Sequence, residues 1–241
     1  MKKRIVTLMA ACATGCASVG ALALWSNQDD DKKFTDAFAE DKADLVPTGR
    51  NPYFILEAGY TLHLRSPDGE EELVIAVLDE TKTVDGVETR VVEEREGPVG
   101  RPKEISRNYF AISRRTNNVY YFGEETRNYD ASGNFTIGRD SWESGVDGAR
   151  FGLMMPGLPL LGSRYYQEIA PGVAMDRAEN VSLTETVETP AGRFTNCLVT
   201  EETTPLEPDE RENKLYAAGV GLLKDEDFIL YKFGASEPTA R

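Results

Sequence analysis

Three acidic side chains lie close together in the sequence around Trp142 and are candidate cation ligands. Asp140, Glu143 and Asp147 fall in a glycine-containing segment, and carboxylate oxygens are ligands that calcium prefers. Their D-x-x-E-x-x-x-D spacing differs from that of an EF-hand loop. We therefore interpret them as solvated loop acids, keep a calcium site as the alternative, and expect no cofactor.

Paired carboxyl groups could instead support glycoside hydrolysis. Such a pair needs a separation of about 5–10 Å and one carboxyl group with a raised pKa. Asp140 with Glu143, and Glu168 with Asp176, are the candidate pairs. Because the chain has 41 Asp and Glu residues, chance pairs are expected. A carboxylate-based hydrolase is therefore the third of our functional hypotheses.

Other reactive side chains are isolated in the sequence. His63 is the only histidine, and Cys197 is the only cysteine after residue 16, so neither has the partners that a zinc site requires. The sequence contains no G-x-S-x-G, P-loop or G-x-G-x-x-G motif. A net charge of −14 disfavours a nucleic-acid partner. These absences favour a protein that binds rather than catalyses.

The apolar segment at residues 151–162 is the candidate binding surface. It mixes large apolar side chains with glycines and prolines and follows neither a helix nor a strand period. We predict a loop that either plugs one end of the fold or forms the mouth of an apolar pocket near three aromatic residues. The candidate binding residues are Trp142, Phe151, Leu153, Met154, Met155, Leu158, Leu160, Leu161, Tyr165 and Tyr166.

Alternating apolar and polar stretches, separated by turn residues, occupy most of the chain. Asp68-Gly69 and Asp85-Gly86 are two of the turn signals. No long segment has a helix period, which disfavours a parallel α/β sheet. We predict an all-β domain over residues 51–234, with a single antiparallel sheet of about a dozen strands curled into a half-barrel or barrel. The predicted strands cover residues 60–65, 72–78, 87–94, 105–113, 119–122, 135–137, 165–169, 180–188, 194–200, 213–217, 221–224 and 228–233.

Two strings of residues resemble a broad group of uncharacterised exported bacterial β-proteins. Residues 51–60, NPYFILEAGY, are similar to that group's N-x-Y-F-P-L-x-x-G opening. Residues 189–198, TPAGRFTNCL, and 216–224, YAAGVGLLK, are similar to its close, although Ile55 and Ala218 stand where proline is usual. The group is itself likened to the lipoprotein-carrier half-barrel. The resemblance implies an open antiparallel sheet around an apolar cavity and no catalytic motif.

The first 25 residues predict export. Lys2, Lys3 and Arg4 precede an uncharged apolar run that contains the A-x-A cleavage pattern Ala21-Leu22-Ala23. We predict a signal peptide at residues 1–23. Alternatives are lipidation at Cys16 or an uncleaved anchor, and either would attach the protein to a membrane through this segment alone. Residues 24–50 read as an acidic flexible tether, and residues 235–241 as a disordered tail.

The sequence therefore favours an exported protein that is periplasmic, secreted or associated with the outer surface. Its leading function is a non-catalytic binding module for an apolar small molecule or a lipid-like ligand. A structural or protein-interaction domain at the cell surface is the alternative.

Overall fold

The computed structural model describes residues 33–235, and from Phe34 onward these residues belong to one compact unit. Their only helical element is a short 3-10 turn, Lys42–Asp44. Nothing in residues 33–235 forms a helix long and apolar enough to cross a bilayer. The strands are β1 (Leu45–Val46), β2 (Gly49–Asn51), β3 (Phe54–Leu56), β4 (Tyr60–Arg65), β5 (Glu71–Val84), β6 (Val87–Pro98), β7 (Glu104–Ser113), β8 (Val119–Tyr129), β9 (Phe135–Ile137), β10 (Trp142–Glu143), β11 (Arg150–Met155), β12 (Arg164–Tyr166), β13 (Glu168–Ile169), β14 (Arg177–Thr189), β15 (Gly192–Thr204), β16 (Glu207–Ala217), β17 (Gly221–Asp225) and β18 (Phe228–Ala235).

One antiparallel sheet dominates the structure. Thirteen strands follow in the order β12-β14-β15-β16-β17-β18-β4-β5-β6-β7-β8-β11-β13. Three further strands, β1, β9 and β10, pair with β7 or β8. The sheet is nearly closed into a barrel, which confirms the predicted all-β class.

A single short segment connects the two edges of the sheet. β12 pairs with β14 at one edge, whereas β13 pairs with β11 at the other. Between these strands, the Gln167 amide donates to the Asp176 carbonyl oxygen at 2.8 Å. The predicted strand at residues 165–169 is therefore two strands that serve opposite edges.

The strand register separates an interior face from an outer face. Leu64 pairs with Leu73 and Leu230, and Val77 pairs with Val92, so one face carries a continuous apolar wall. Alternation places Glu94 on this face beside Val92. The charges of Lys214 and Asp225 act on Glu94, although four strands separate β16 from β6 in the sheet. These side chains therefore face one another across the barrel interior.

Residues 33–50 pack against the sheet instead of forming a tether. The Phe38 ring lies 5.8 Å from the Tyr120 ring, and Leu45 is buried in the same hydrophobic cluster as Tyr120. Strand β1 pairs with β7, and Thr35 forms a bridge with Tyr165. The tether prediction is wrong here because a few apolar side chains, combined with backbone pairing, suffice to order an acidic segment.

The remaining terminal predictions fall mostly outside the described residues. These are the signal peptide at residues 1–23 with Cys16, the tether residues 24–32, and tail residues 236–241. Ala235, which the sequence placed in the tail, is the last residue of β18.

Candidate functional site

The apolar segment at residues 151–162 divides into a buried strand and an exposed loop. The prediction of a loop is wrong for β11, whose residues Leu153, Met154 and Met155 are buried. The sequence of β11 does not alternate between apolar and polar residues, because both faces of the strand are covered. On one face the Phe151 ring stacks on the Phe122 ring. On the other, the side-chain amide nitrogen of Gln167 lies 3.8 Å from the Met154 sulfur.

Residues 156–162, here called the leucine loop, present three leucines to solvent. The exposed fractions of Leu158, Leu160 and Leu161 are 77%, 61% and 67%. The loop rests closely on the β7–β8 turn, because a Cβ at Gly157 would lie 1.9 Å from the Thr116 carbonyl oxygen. The large apolar side chains of residues 151–162 are therefore divided between the buried strand and the exposed loop.

The aromatic candidates are largely core residues. The Trp142 ring packs 5.3 Å from the Tyr121 ring, and its indole N–H donates to Glu168 Oε2 at 3.0 Å. The Tyr165 hydroxyl lies 3.1 Å from Asn180 Oδ1. Tyr166 is half-buried against the Phe34 ring. Trp142 and Tyr165 are buried and do not form a rim.

The structure does not gather the acidic residues around Trp142 into one group. Glu143 pairs with Lys82, and Asp147 is an exposed turn residue with a φ of 49°. Nowhere within residues 33–235 do three or more acidic, histidine or cysteine side chains form a group that could hold a metal. The spacing in sequence was misleading because the segment bends through β10 and a following turn.

Of the requirements of the hydrolase hypothesis, the structure supports one, a carboxyl group with a raised pKa. Burial raises the pKa of Glu168 well above its ordinary value, and the charge of Asp176 adds to the effect. Glu168 is only 3% exposed and accepts a hydrogen bond from the Trp142 indole, so a glycoside has no direct approach to its carboxyl group. The other pair is disrupted by the contact of Glu143 with Lys82.

A charged cluster in the barrel interior was not predicted. The Lys214 ammonium lies 3.1 Å from Asp225, 3.6 Å from Glu202 and 3.7 Å from Glu212. We call these four residues the Lys214 cluster. Register explains their meeting, because Lys214 pairs with Asp225 and Glu202 pairs with Glu212 across neighbouring strands. Gln167 adds a bond from its side-chain amide to Glu202 Oε1 at 3.0 Å.

Burial and mutual contact set the protonation of this cluster. Burial, together with a hydrogen bond to Asp225, raises the pKa of Glu212 to about 9. Although burial opposes ionisation of Asp225, the charge of Lys214 and the hydrogen bond from Glu212 hold the pKa of Asp225 below its ordinary value. Glu212 is therefore protonated at neutral pH and donates to the Asp225 carboxylate.

A groove of about 850 Å³ lies along strands β14–β17, within the size range of small-molecule sites. Its floor contains the apolar residues Val181, Val199 and Leu215, and we call it the β14–β17 groove. Val199 pairs with Leu215, and Leu215 pairs with Lys224, so the floor crosses three strands. The other lining residues are polar or charged: Ser182, Glu185, Arg211, Glu212, Asn213, Lys224, Glu226 and Asp227.

Glu212 connects the groove with the interior. Its side chain is 22% exposed and contacts Lys214, and it also lines the groove. The sequence held a signal for this arrangement: Glu212, Lys214 and Tyr216 alternate in β16 with residues of the other face. That signal does not identify Glu202 or Asp225, because each is brought to the cluster by another strand.

Four carboxyl groups bind protons more tightly in the folded protein than in the unfolded chain. Burial is the main cause at each of them, and it raises the pKa of Glu94 from an ordinary value near 4.5 to about 7. The folded state therefore holds more protons than the unfolded state at neutral pH, so stability falls as pH rises through the folded pKa values. The four groups are Glu94, Glu168, Glu202 and Glu212.

We expect the protein to lose on the order of 2 kcal/mol of unfolding free energy between pH 6.5 and pH 8.5. Burial lowers the pKa of His63, which acts in the opposite direction but below this window. Urea unfolding at the two pH values measures the change. Glu94→Gln should remove only the part of the dependence that Glu94 contributes, whereas the exposed Glu88→Gln on the same strand should leave the dependence unchanged. Equal stability of the parent at both pH values would contradict the expectation.

Comparisons with known proteins found no relative of this chain. No protein-family model, curated protein or solved structure matches the chain. The resemblance to exported bacterial β-proteins therefore stays a prediction.

Proposed function

We propose that this protein is an exported binding module whose β14–β17 groove holds a small apolar or amphiphilic molecule. The observation that carries the proposal is the groove itself, with about 850 Å³ of space above an apolar floor. Small-molecule sites combine apolar side chains with polar groups that fix the orientation of the ligand, and this groove combines three apolar with eight polar or charged lining residues.

The floor gives an apolar ligand a reason to bind. Val181 is 41% exposed, and covering such surface is worth about 25 cal/mol per Å². Strands pair on both sides of Val199 and Leu215, so the floor is held by the sheet rather than by a mobile loop. A preformed surface reduces the ordering cost of binding.

A fluorescent apolar probe, N-phenyl-1-naphthylamine, tests this function. We expect probe binding that 1-octanol displaces, and we expect Val181→Asp to weaken it at least tenfold because a carboxylate would be desolvated by the ligand. Val173→Asp is the matched control, since Val173 is 40% exposed but does not line the groove. Equal binding by the two variants would remove the groove from consideration.

The leucine loop favours a second candidate, a protein-interaction domain at the cell surface. Three neighbouring leucines more than half exposed are typical of interaction surfaces. The loop and the groove contain different residues. Loss of probe binding in Val181→Asp therefore supports the groove, whereas probe binding that is lost only in Leu160→Ser supports the loop.

A further inference from the structure

We propose that the ligand of the β14–β17 groove carries a cationic head with N–H donors, and that Glu212 receives this head in exchange for its own proton. This inference rests on the proposed binding function, because it names the chemistry of the groove's ligand. It follows from an unpaired acceptor on Glu212, from the distribution of charge around Glu212 and from the position of that residue between groove and interior.

One buried oxygen atom of the Lys214 cluster, Glu212 Oε1, has no hydrogen-bond partner. It lies 3.7 Å from the Lys214 ammonium, which is longer than a hydrogen bond. Buried polar atoms are normally paired, and leaving one unpaired costs free energy. A hydrogen-bond donor from a ligand would satisfy this oxygen.

The groups that face Glu212 favour a positive head group. Glu202 lies directly opposite on β15 and Asp225 on β17, and burial raises the pKa of Glu202. The charge of Asp176 also acts on Glu202. Lys214 is the positive charge in contact with Glu212, and it already contacts three carboxyl groups.

The net charge of the residues that line the groove is also negative. Its acidic lining residues Glu185, Glu226 and Asp227 outnumber the basic pair Arg211 and Lys224, even before Glu212 is counted. An anionic head would meet like charge from the groove and from the interior. A guanidinium or ammonium head would instead meet carboxyl groups, which accept its N–H bonds with the assistance of charge.

The exchange requires no reagent other than the ligand and water. The O–H bond of the Glu212 carboxyl group breaks, its proton leaves to solvent, and the resulting carboxylate accepts hydrogen bonds from the cation. No electron is transferred, and Lys214 keeps its charge beside Asp225. The carboxyl torsion of glutamate is soft, so an oxygen of the partly exposed Glu212 side chain can turn towards the groove.

Calorimetric titration with octylguanidinium, 1-octanol and octyl sulfate tests the inference, because the three share one chain and differ in head charge. Guanidinium stays charged at every pH used. We expect octylguanidinium to bind more tightly than octanol, octyl sulfate to bind more weakly, and octylguanidinium affinity to rise about tenfold per pH unit between pH 6 and pH 8. Glu212→Gln should abolish the preference and the pH dependence, so that this variant binds octylguanidinium no more tightly than octanol.

A matched variant and a direct measurement of protons complete the design. Asp209→Asn removes a carboxylate from an exposed position of the same strand and should behave as the parent. Titration of the parent in buffers of different ionisation enthalpy should show about one proton released per octylguanidinium at pH 7, which does not depend on any variant folding.

The outcomes separate the two proposals. Octanol binding without a preference for octylguanidinium, or without proton release, overturns the cationic head and leaves the groove function intact. A preference that survives Glu212→Gln also overturns the role of Glu212. Absence of binding by all three amphiphiles overturns the proposed function and this inference together.

Discussion

Replacement of Lys214 by methionine is expected to destabilise the fold by about 3–5 kcal/mol. The lysine is 2% exposed and contacts Asp225, Glu202 and Glu212. Methionine fills much of the same volume but leaves the Asp225 carboxylate buried without its counter-charge. The cost therefore arises from an uncompensated charge rather than from lost packing. Urea unfolding of the variant and the parent measures it.

Lys232→Met is the matched control for this prediction. It makes the same substitution on β18, where the side chain is exposed, and should change stability by less than about 0.5 kcal/mol. A loss below about 1 kcal/mol for Lys214→Met would mean that the cluster is hydrated and does not form part of the closed interior.

The second large effect is expected at Met155, the residue of β11 that is 1% exposed. Met155→Ser removes a buried side chain, and such truncations typically cost about 2–5 kcal/mol. Leu160→Ser introduces the same side chain in the leucine loop, where the leucine is 61% exposed, and should cost less than about 0.5 kcal/mol. Chemical unfolding of both variants provides the comparison, and similar costs would show that the division between strand and loop is wrong.

The positions of most strands were accessible from the sequence because alternation was clear where one face is apolar. The bounds predicted for β4 and β9 match the structure. The start of β16 was placed at residue 213, whereas the strand begins at Glu207. Residues 207–212 give no apolar signal on either face, because every one except Pro208 is charged and residues 207–211 are exposed.

Two other elements were not predicted, each for its own reason. β11 is apolar on both faces, so it has no alternation, and its Met154 and Met155 were taken for part of a loop. The segment that contains Phe38 and β1 was taken for a tether, because composition does not show that its few apolar side chains meet an exposed face of the sheet.

The candidate site was the least predictable feature. The apolar floor of the β14–β17 groove comes from β14, β15 and β16. The charged residues of the Lys214 cluster come from β15, β16 and β17. Neither is contiguous in sequence. Lys214 at an interior position of β16 was a readable signal, but the identity of its partners depends on the register of β15 and β17.

The most direct test of the central claim is a titration of the isotope-labelled protein with 1-octanol, followed by NMR. The groove assignment predicts that the largest saturable shift changes occur at Val181, Val199 and Leu215, which form the floor, while the amides of residues 156–162 stay unchanged. Shift changes confined to the leucine loop, or no saturable change on β14–β17, would contradict the account.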